Sequence, residues 1–348
     1  MEAFNDIFED CTSLGTKIPK DNYLPEGKYI VVDQGQNIIA GYTNEEDGLY
    51  EDVPAIVFGD HTRIIKYVDE PFFLGADGVK LLKSKMKDAN YKYLYYALKN
   101  ARIPDTGYNR HFKWLKEVNI EYPEPDKQQR IVEVLDKISR VIEERKLELQ
   151  QLDELIKARF VEMFGDPNDR SVAKERYKIG NLCDVTKLAG FEFTEFINYQ
   201  DSGEIIMLRG LNCKQGKLVL DNVKYIDRET SHKLPRSRLY IGDILMTYAG
   251  TIGDVAMVDE DDKYHLAPNV AKISINDKEK LNPVFLVHLF MYSHDYIMTF
   301  ASQVAQASIN MQKIRDFEYE IPSMNAQLEF EQFVKQVDKS KVVDINAA

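Results

Sequence analysis

Apolar residues in the first 80 positions come in short runs separated by turn residues. Tyr29–Val32, Asn37–Ala40, Ala55–Phe58 and Ile64–Val68 predict strands, punctuated by Gly35, Gly41, Gly48, Gly59, Gly75 and Gly78. The period then lengthens. Tyr91, Leu94, Tyr95 and Leu98 share one face of a predicted helix over Tyr91–Asn100. The clearest element covers 126–163, where Leu135, Ile142, Leu149, Ile156 and Met163 recur every seven residues, with Ile131, Ile138 and Leu152 at alternate seam positions. Arg145 and Arg159 interrupt that second series. Asp126 and Gln129 predict a capping box at its start, and Gly165-Asp166-Pro167 a glycine-capped stop. At ~1.5 Å per residue such a helix is a rod of roughly 57 Å, a spacer and not a flexible linker.

Residues 177–324 return to the mixed pattern. Strands are predicted near Ile205–Leu208, Lys224–Ile226, Asp243–Thr247, Gly253–Val258 and Ala271–Ile275, followed by a helix from Asn282-Pro283 to about Met298. A second long helix opens at Asn325, with Phe330, Phe333, Val334 and Val337 apolar. The stretch Val118–Gln129 is echoed by Phe317–Leu328. Each reads as a short strand, a proline break and a glutamine opening an amphipathic helix. The copies lie 199 positions apart, so the repeat is the size of a domain.

Length changes this picture little: 348 residues leave room for two domains, each with its own core. No run approaches the roughly 18 apolar residues that would span a bilayer, and Met1–Asp6 is unlike a signal peptide, so a cytoplasmic protein without membrane association is expected. Cys11, Cys183 and Cys213 are odd in number and lack C-x-x-C spacing, against a disulfide framework or zinc site. Net charge is −12, of which residues 1–125 carry −6 and residues 126–165 carry −1. No domain is basic overall, so any contact with DNA must use local clusters.

Catalytic motifs are weak. Asn282-Pro283-Val284-Phe285 lacks the second proline of the adenine-methyltransferase motif and reads as an N-cap followed by proline. Gly210–Leu218 has five residues between its glycines and Leu218 in place of a metal-binding hydroxyl, so it reads as a turn. Gly75-Ala76-Asp77-Gly78 lacks a third glycine. The six histidines show no metal spacing, and His288 reads as a core residue. Asp60 and Asp69-Glu70 have no Glu-x-Lys to complete a nuclease site.

Polar, basic and small residues cluster instead in loops at matching places of both halves. They are Gly59–Arg63 and Gly107–Lys113 in the first, and Thr247–Thr251 and Ser308–Gln312 in the second, with a basic run His232–Arg238. Such side chains on loops serve base-edge and phosphate recognition.

The chain resembles the specificity subunit of type I restriction-modification enzymes. In the first half the likeness rests on Val32–Gln36, Ile39–Thr43, Phe58–Arg63 and Leu74–Val79. In the second it rests on Leu208–Gly210, Gly242–Met246, Gly250–Gly253 and Ala267–Val270, with Arg159–Pro167 at the helix end. The resemblance implies an α+β fold with two repeated target-recognition domains separated by long antiparallel coiled-coil-like spacer helices. Its parts would be a first recognition domain (1–125), a central spacer helix (126–165), a second recognition domain (166–324) and a shortened second spacer helix (325–348).

It further implies a non-catalytic subunit that reads a bipartite double-stranded DNA target. Partner methyltransferase subunits would methylate adenine N6, and a motor-nuclease subunit would cleave unmethylated DNA. S-adenosylmethionine, ATP and Mg²⁺ would sit on those partners, with no cofactor on this chain. Alternatives are a self-contained nuclease or methyltransferase with degenerate motifs, and a structural coiled-coil adaptor. The candidate DNA contacts are His61, Arg63, Arg110, His111 and Lys113 in the first half and Lys233, Arg236, Arg238, Thr251, Asn269, Asn310 and Gln312 in the second. Lys113, Lys233, Arg236 and Arg238 are expected to grip phosphates.

Overall fold

The computed structural model describes residues 1–75, 78–171, 175–302 and 307–343. Ala76 and Asp77 of the Gly75–Gly78 motif, and the expected spacer-helix end at 344–348, lie outside the described residues. Two compact units, Met1–Arg145 and Lys146–Ala348, have separate cores.

In the first unit, β1 (Glu2–Ala3), α1 (Phe4–Ile7), β2 (Phe8–Asp10), β3 (Tyr29–Val32), β4 (Gly41–Thr43), β5 (Ala55–Gly59), β6 (Ile65–Val68), β7 (Phe72–Leu74) and β8 (Val79–Ser84) precede the helices. Then follow α2 (Tyr91–Lys99), α3 (Phe112–Leu115), β9 (Asn119–Ile120) and α4 (Pro125–Phe164), which runs on into the second unit. An antiparallel sheet β2-β8-β5-β6 stacks on a three-stranded sheet β4-β3-β7, in which β3 and β7 are parallel.

Strand β5 shows why the layers form. Successive side chains point to opposite faces, and all five of its residues are buried. Ile56 and Phe58 join Leu82 in a core with Leu94, Leu98 and Leu115 of the helices. Ala55 and Val57 join Leu81 in a core with Ile30, Val32 and Phe72 of the smaller sheet.

The second unit repeats this plan. Its elements are β10 (Tyr177–Lys178), β11 (Cys183–Lys187), α5 (Gly190–Phe196), β12 (Ile205–Leu208), β13 (Cys213–Lys214), β14 (Lys217–Leu218), β15 (Lys224–Ile226), α6 (Arg228–Lys233), β16 (Ile244–Thr247), β17 (Val255–Met257), β18 (Tyr264–Leu266) and β19 (Val270–Ile275). After them come α7 (Pro283–Tyr292), α8 (His294–Met298), α9 (Met311–Arg315), β20 (Glu318–Tyr319) and α10 (Met324–Val343). The sheets are β11-β19-β16-β17 and β15-β12-β18, again with a parallel pair, β12 and β18, in the smaller one. Hence β2, β8, β5 and β6 correspond to β11, β19, β16 and β17. Helix α3 corresponds to α9.

The echoed segments fold alike. β9 pairs with β1 and β20 with β10. Buried Gln128 donates to the Pro123 carbonyl at 2.8 Å, and buried Gln327 donates to the Pro322 carbonyl at 2.8 Å. Each glutamine ties the proline break to its helix.

Several expectations are corrected. Asn37 and Ile38 lie in a bend and Ile39 and Ala40 in no regular element. Strand β4 starts only at Gly41, just after Ala40 N–H donates to the Val31 carbonyl at 2.8 Å. The expected helix to Met298 is two: α7 stops at buried Ser293, whose hydroxyl lies 3.3 Å from the Phe290 carbonyl and 2.8 Å from the Tyr319 hydroxyl. The capping box at Asp126 does not form. Pro125 is already helical, Lys127 and Gln128 donate to the Glu124 carbonyl at 2.9 and 3.1 Å, and Gln129 bonds Glu133 instead. Gly165 does cap the C-terminus, with φ +83° and its N–H on the Val161 carbonyl at 2.8 Å.

The heptad seam is shorter than its sequence period. Ile156 and Phe160 are buried, and α10 runs antiparallel to this part of α4 through Phe160–Phe330, Arg159–Glu329 and Asp153–Lys341. Ile138 and Ile142, by contrast, are each 49% exposed.

Candidate nucleic-acid interface

The predicted loops of the first unit gather at one end of its four-stranded sheet, around a buried carboxylate. Asp60 follows β5. Its N–H donates to Gly78 at 2.7 Å, its carbonyl accepts from His111 N–H at 2.7 Å, and its carboxylate accepts from Phe112 N–H at 2.7 Å. Gln34 adds a second tie, accepting from His61 N–H (3.2 Å) and Thr62 Oγ1 (2.6 Å). Gly78 is required here: φ is +89°, and a Cβ would meet Gln34 and the His61 ring at 2.8 Å. Asp60 is therefore an organiser of the loops.

Upon this frame His61 donates from Nδ1 to the Asn109 carbonyl at 3.2 Å and stacks on Tyr108, with ring centroids 4.8 Å apart. Tyr108 is 88% exposed and adds a stacking surface beyond the candidate contacts named from the sequence. A tyrosine between glycine and asparagine in a polar loop was its signal. Arg63, at φ +61°, holds Asp105 at 2.7 Å. The Gly107 N–H first, and then Arg63, keep that carboxyl below its ordinary value. Arg110 is exposed and has no polar partner among the described residues. Lys113 lies over the Trp114 ring, 4.1 Å from its centroid.

His111 is a correction. It is 1% exposed, with Nδ1 3.0 Å from the Asp60 carbonyl, so it supports the loops from below and cannot reach a base edge.

The second unit brings its loops together at the same sheet end. Tyr248 N–H donates to the Asn269 carbonyl at 3.0 Å, Ile309 N–H donates to the Tyr248 carbonyl at 2.8 Å, and Ala249 bridges Ser308. Thr247 Oγ1 fixes the β16–β17 turn by bonding the Thr251 carbonyl and accepting from Asp254 N–H at 2.9 Å. Thr251, Asn269 and Asn310 are exposed along this cluster. Asn269 adopts φ +67°, a conformation asparagine tolerates better than most residues. Asn310 caps α9 by accepting from Lys313 N–H at 2.9 Å, and its amide donors have no partner among the described residues. Gln312 leans back along α9 to Asp316 at 3.2 Å.

The basic run is mostly neutralised. Lys233 pairs with Glu229 at 2.8 Å and Arg238 pairs with Asp262, whereas Arg236 is exposed and without a polar partner among the described residues.

Other motifs resolve into structure. Asn282 accepts from Val284 and Phe285 N–H at 2.8 and 3.1 Å, as an N-cap should. Gly210–Leu218 forms a turn and the β13–β14 hairpin. His288 donates to the Val284 carbonyl at 2.7 Å. Among the described residues no three His, Cys, Asp or Glu side chains converge as a metal site, and no helix is long and apolar enough to cross a membrane.

Comparison with known proteins fits this duplicated architecture. Residues 3–153 and 172–347 match the family model of the type I restriction modification DNA specificity domain. The Escherichia coli type I restriction enzyme EcoBI specificity subunit is 28% identical over 136 residues, 38% of this chain and 28% of that protein. The Escherichia coli EcoR124I/EcoR124II specificity subunit is 31% identical over 132 residues, 34% of this chain and 33% of that protein. These matches thus span a third or less of the length of either curated relative. The crystal structure of a type-I restriction-modification system S subunit from M. genitalium aligns over 98% of this chain and 89% of its own, at TM-score 0.53 and 16% identity, which shows a shared fold. The chain belongs to the type I restriction modification DNA specificity domain family.

Proposed function

We propose that this chain is the sequence-reading specificity subunit of a type I restriction-modification complex. Each unit reads one half of a bipartite double-stranded DNA site. Methyltransferase subunits held by the chain methylate adenine N6, and a motor-nuclease subunit cleaves unmethylated DNA. S-adenosylmethionine, ATP and Mg²⁺ belong to those partners, and this chain contributes recognition without catalysis.

One observation carries the reading. The same sheet topology occurs twice, and both times the turns after the matching strands β5 and β16 and the segments before α3 and α9 are bonded together at one sheet end. The two ends display different polar side chains: Arg63 and Arg110 on one, Thr251, Asn269 and Asn310 on the other. A repeated scaffold with unlike tips suits one protein that reads two unlike sequences.

The test expresses the chain with methyltransferase and motor subunits in a host lacking adenine methylation and sequences the modified genome. N6-methyladenine should fall in one bipartite motif, and purified chain alone should neither methylate nor cleave DNA when given every cofactor. Modification or cleavage by the chain alone would instead favour a self-contained enzyme.

A further inference from the structure

Beside the edge strand β11 of the second unit lies a concavity of about 330 Å³, lined by Asp184, Thr186, Arg236, Lys272, Ser274 and Arg315. Its three cations come from distant parts of the chain: the turn after α6, strand β19 and the last residue of α9. Sequence spacing therefore could not show that they meet.

Two are anchored by carbonyls, not carboxylates. Lys272 donates to the Arg238 carbonyl at 3.0 Å, and Arg315 donates to the Val185 carbonyl at 2.5 Å. Arg236 has no polar partner among the described residues. The carboxylates nearby are few. Asp184 lines the rim, and Asp243 lies beneath, already accepting from Ser274 Oγ at 2.6 Å and Tyr240 N–H at 2.9 Å. Gathering cations in a partly buried hollow is unfavourable unless an anion completes it. Burial pushes the Lys272 ammonium down from its ordinary value, against the opposing pull of Asp243 and Asp184.

Position says which anion. Lys272 pairs across the sheet with Thr186, and the next residue, Lys187, lies 5.6 Å from the centre of the Tyr248 ring. Tyr248 is the residue whose main chain ties Asn269 to Ile309. Side chains alternate along β11, so Lys187 and Tyr248 lie on the face opposite the hollow. The hollow reaches the loop-cluster end of the sheet through Lys272, which is three residues along β19 from Asn269. We propose that Arg236, Lys272 and Arg315 together seat a single phosphodiester of the DNA backbone, fixing the register in which Thr251, Asn269 and Asn310 meet the bases. This rests on the DNA-reading function proposed above and adds to it a preformed phosphate seat.

The test uses the full chain, a random-sequence 30-base-pair duplex and a salt series. Each neutralised phosphate contributes about 0.9 to the slope of log affinity against log salt. Replacing all three cations (Arg236→Ala, Lys272→Gln, Arg315→Gln) should lower the slope by about 0.9, one phosphate. No change, or a fall approaching about 2.7 as three separate contacts would give, overturns the seat. Lys272 and Arg315 also brace the backbone, so a second comparison uses the exposed positions Arg236→Glu and Lys278→Glu, which change net charge equally. At low salt the first should weaken binding at least about fivefold more than the second. Equal losses overturn the seat and leave DNA reading intact. Wild-type chain that binds no duplex at low salt overturns the DNA reading itself.

Discussion

Asn310 is the residue where folding and recognition are hardest to separate, because one side chain serves both. Its Oδ1 caps α9 while its amide has no partner among the described residues. Asn310→Ala should cost about 1 kcal/mol of stability, the usual value of a cap, and should weaken binding to the methylated motif more than to random DNA. Asn310→Asp keeps the cap and removes the amide donor, so stability should return while discrimination stays lost. If Asp restores both, Asn310 acts only as a cap. Residue type was legible in the sequence here, but burial was not. His111 sits among Arg110, Phe112 and Lys113 with nothing in the sequence to mark it as 1% exposed.

Two further histidines set a pH dependence. Burial lowers the pKa of both His265 and His288 from the ordinary histidine value, so at neutral pH both are uncharged in the folded protein. Below about pH 6.5 the unfolded chain binds more protons at these positions than the folded one. Their contribution to stability is therefore complete above about pH 6.5 and is lost as pH falls toward their lowered folded values. Urea midpoints should drop between about pH 7.5 and pH 5.5, and a His265→Phe/His288→Leu variant should show a smaller drop. An equal drop in the variant would assign the effect to other groups.

At the scale of elements, the duplicated glutamine gives a comparison internal to one chain. Gln128 serves the Pro123 carbonyl, whereas Gln327 serves the Pro322 and Lys280 carbonyls and also accepts from Asn282 N–H, all at 2.8 Å. An unmet buried polar group costs about 1–3 kcal/mol. Gln327→Ala should accordingly destabilise by roughly 2–4 kcal/mol more than Gln128→Ala, read from urea unfolding of each variant. Equal losses would mean that the extra bonds are replaced by water. Helix α4 was legible because proline, glycine and a seven-residue period mark its ends and faces. Asn37–Ala40 misled for the opposite reason, since a short apolar run has no period long enough to distinguish strand from bend. The pairings between strands were not legible, nor was the meeting of Arg236, Lys272 and Arg315. Both depend on contacts far apart in sequence.

For the whole molecule, the central question is whether one unit can be exchanged without the other. The core of the second unit is completed by its helices: Phe160 and Phe164 of α4 pack on Phe285 of α7, and both pack on Phe330 of α10, with ring centroids 5.0–5.7 Å apart. Tyr292 adds an edge contact to Phe160 at 5.2 Å. A replacement of residues 170–320 by another recognition domain cuts through this cluster, leaving Phe160, Phe164 and Phe330 in place and importing new partners for them. Donors that carry aromatic residues at the positions of Phe285 and Tyr292 should fold. With methyltransferase subunits present, they should change one half of the methylated motif and leave the other half as it was. Donors lacking them should lose about 3–5 kcal/mol, as truncation of a large buried aromatic does, and yield no methylation at all. Genome-wide methylation sequencing separates the cases. A well-folded exchange that altered both halves, or neither, would rule out two independent readers on a duplicated scaffold.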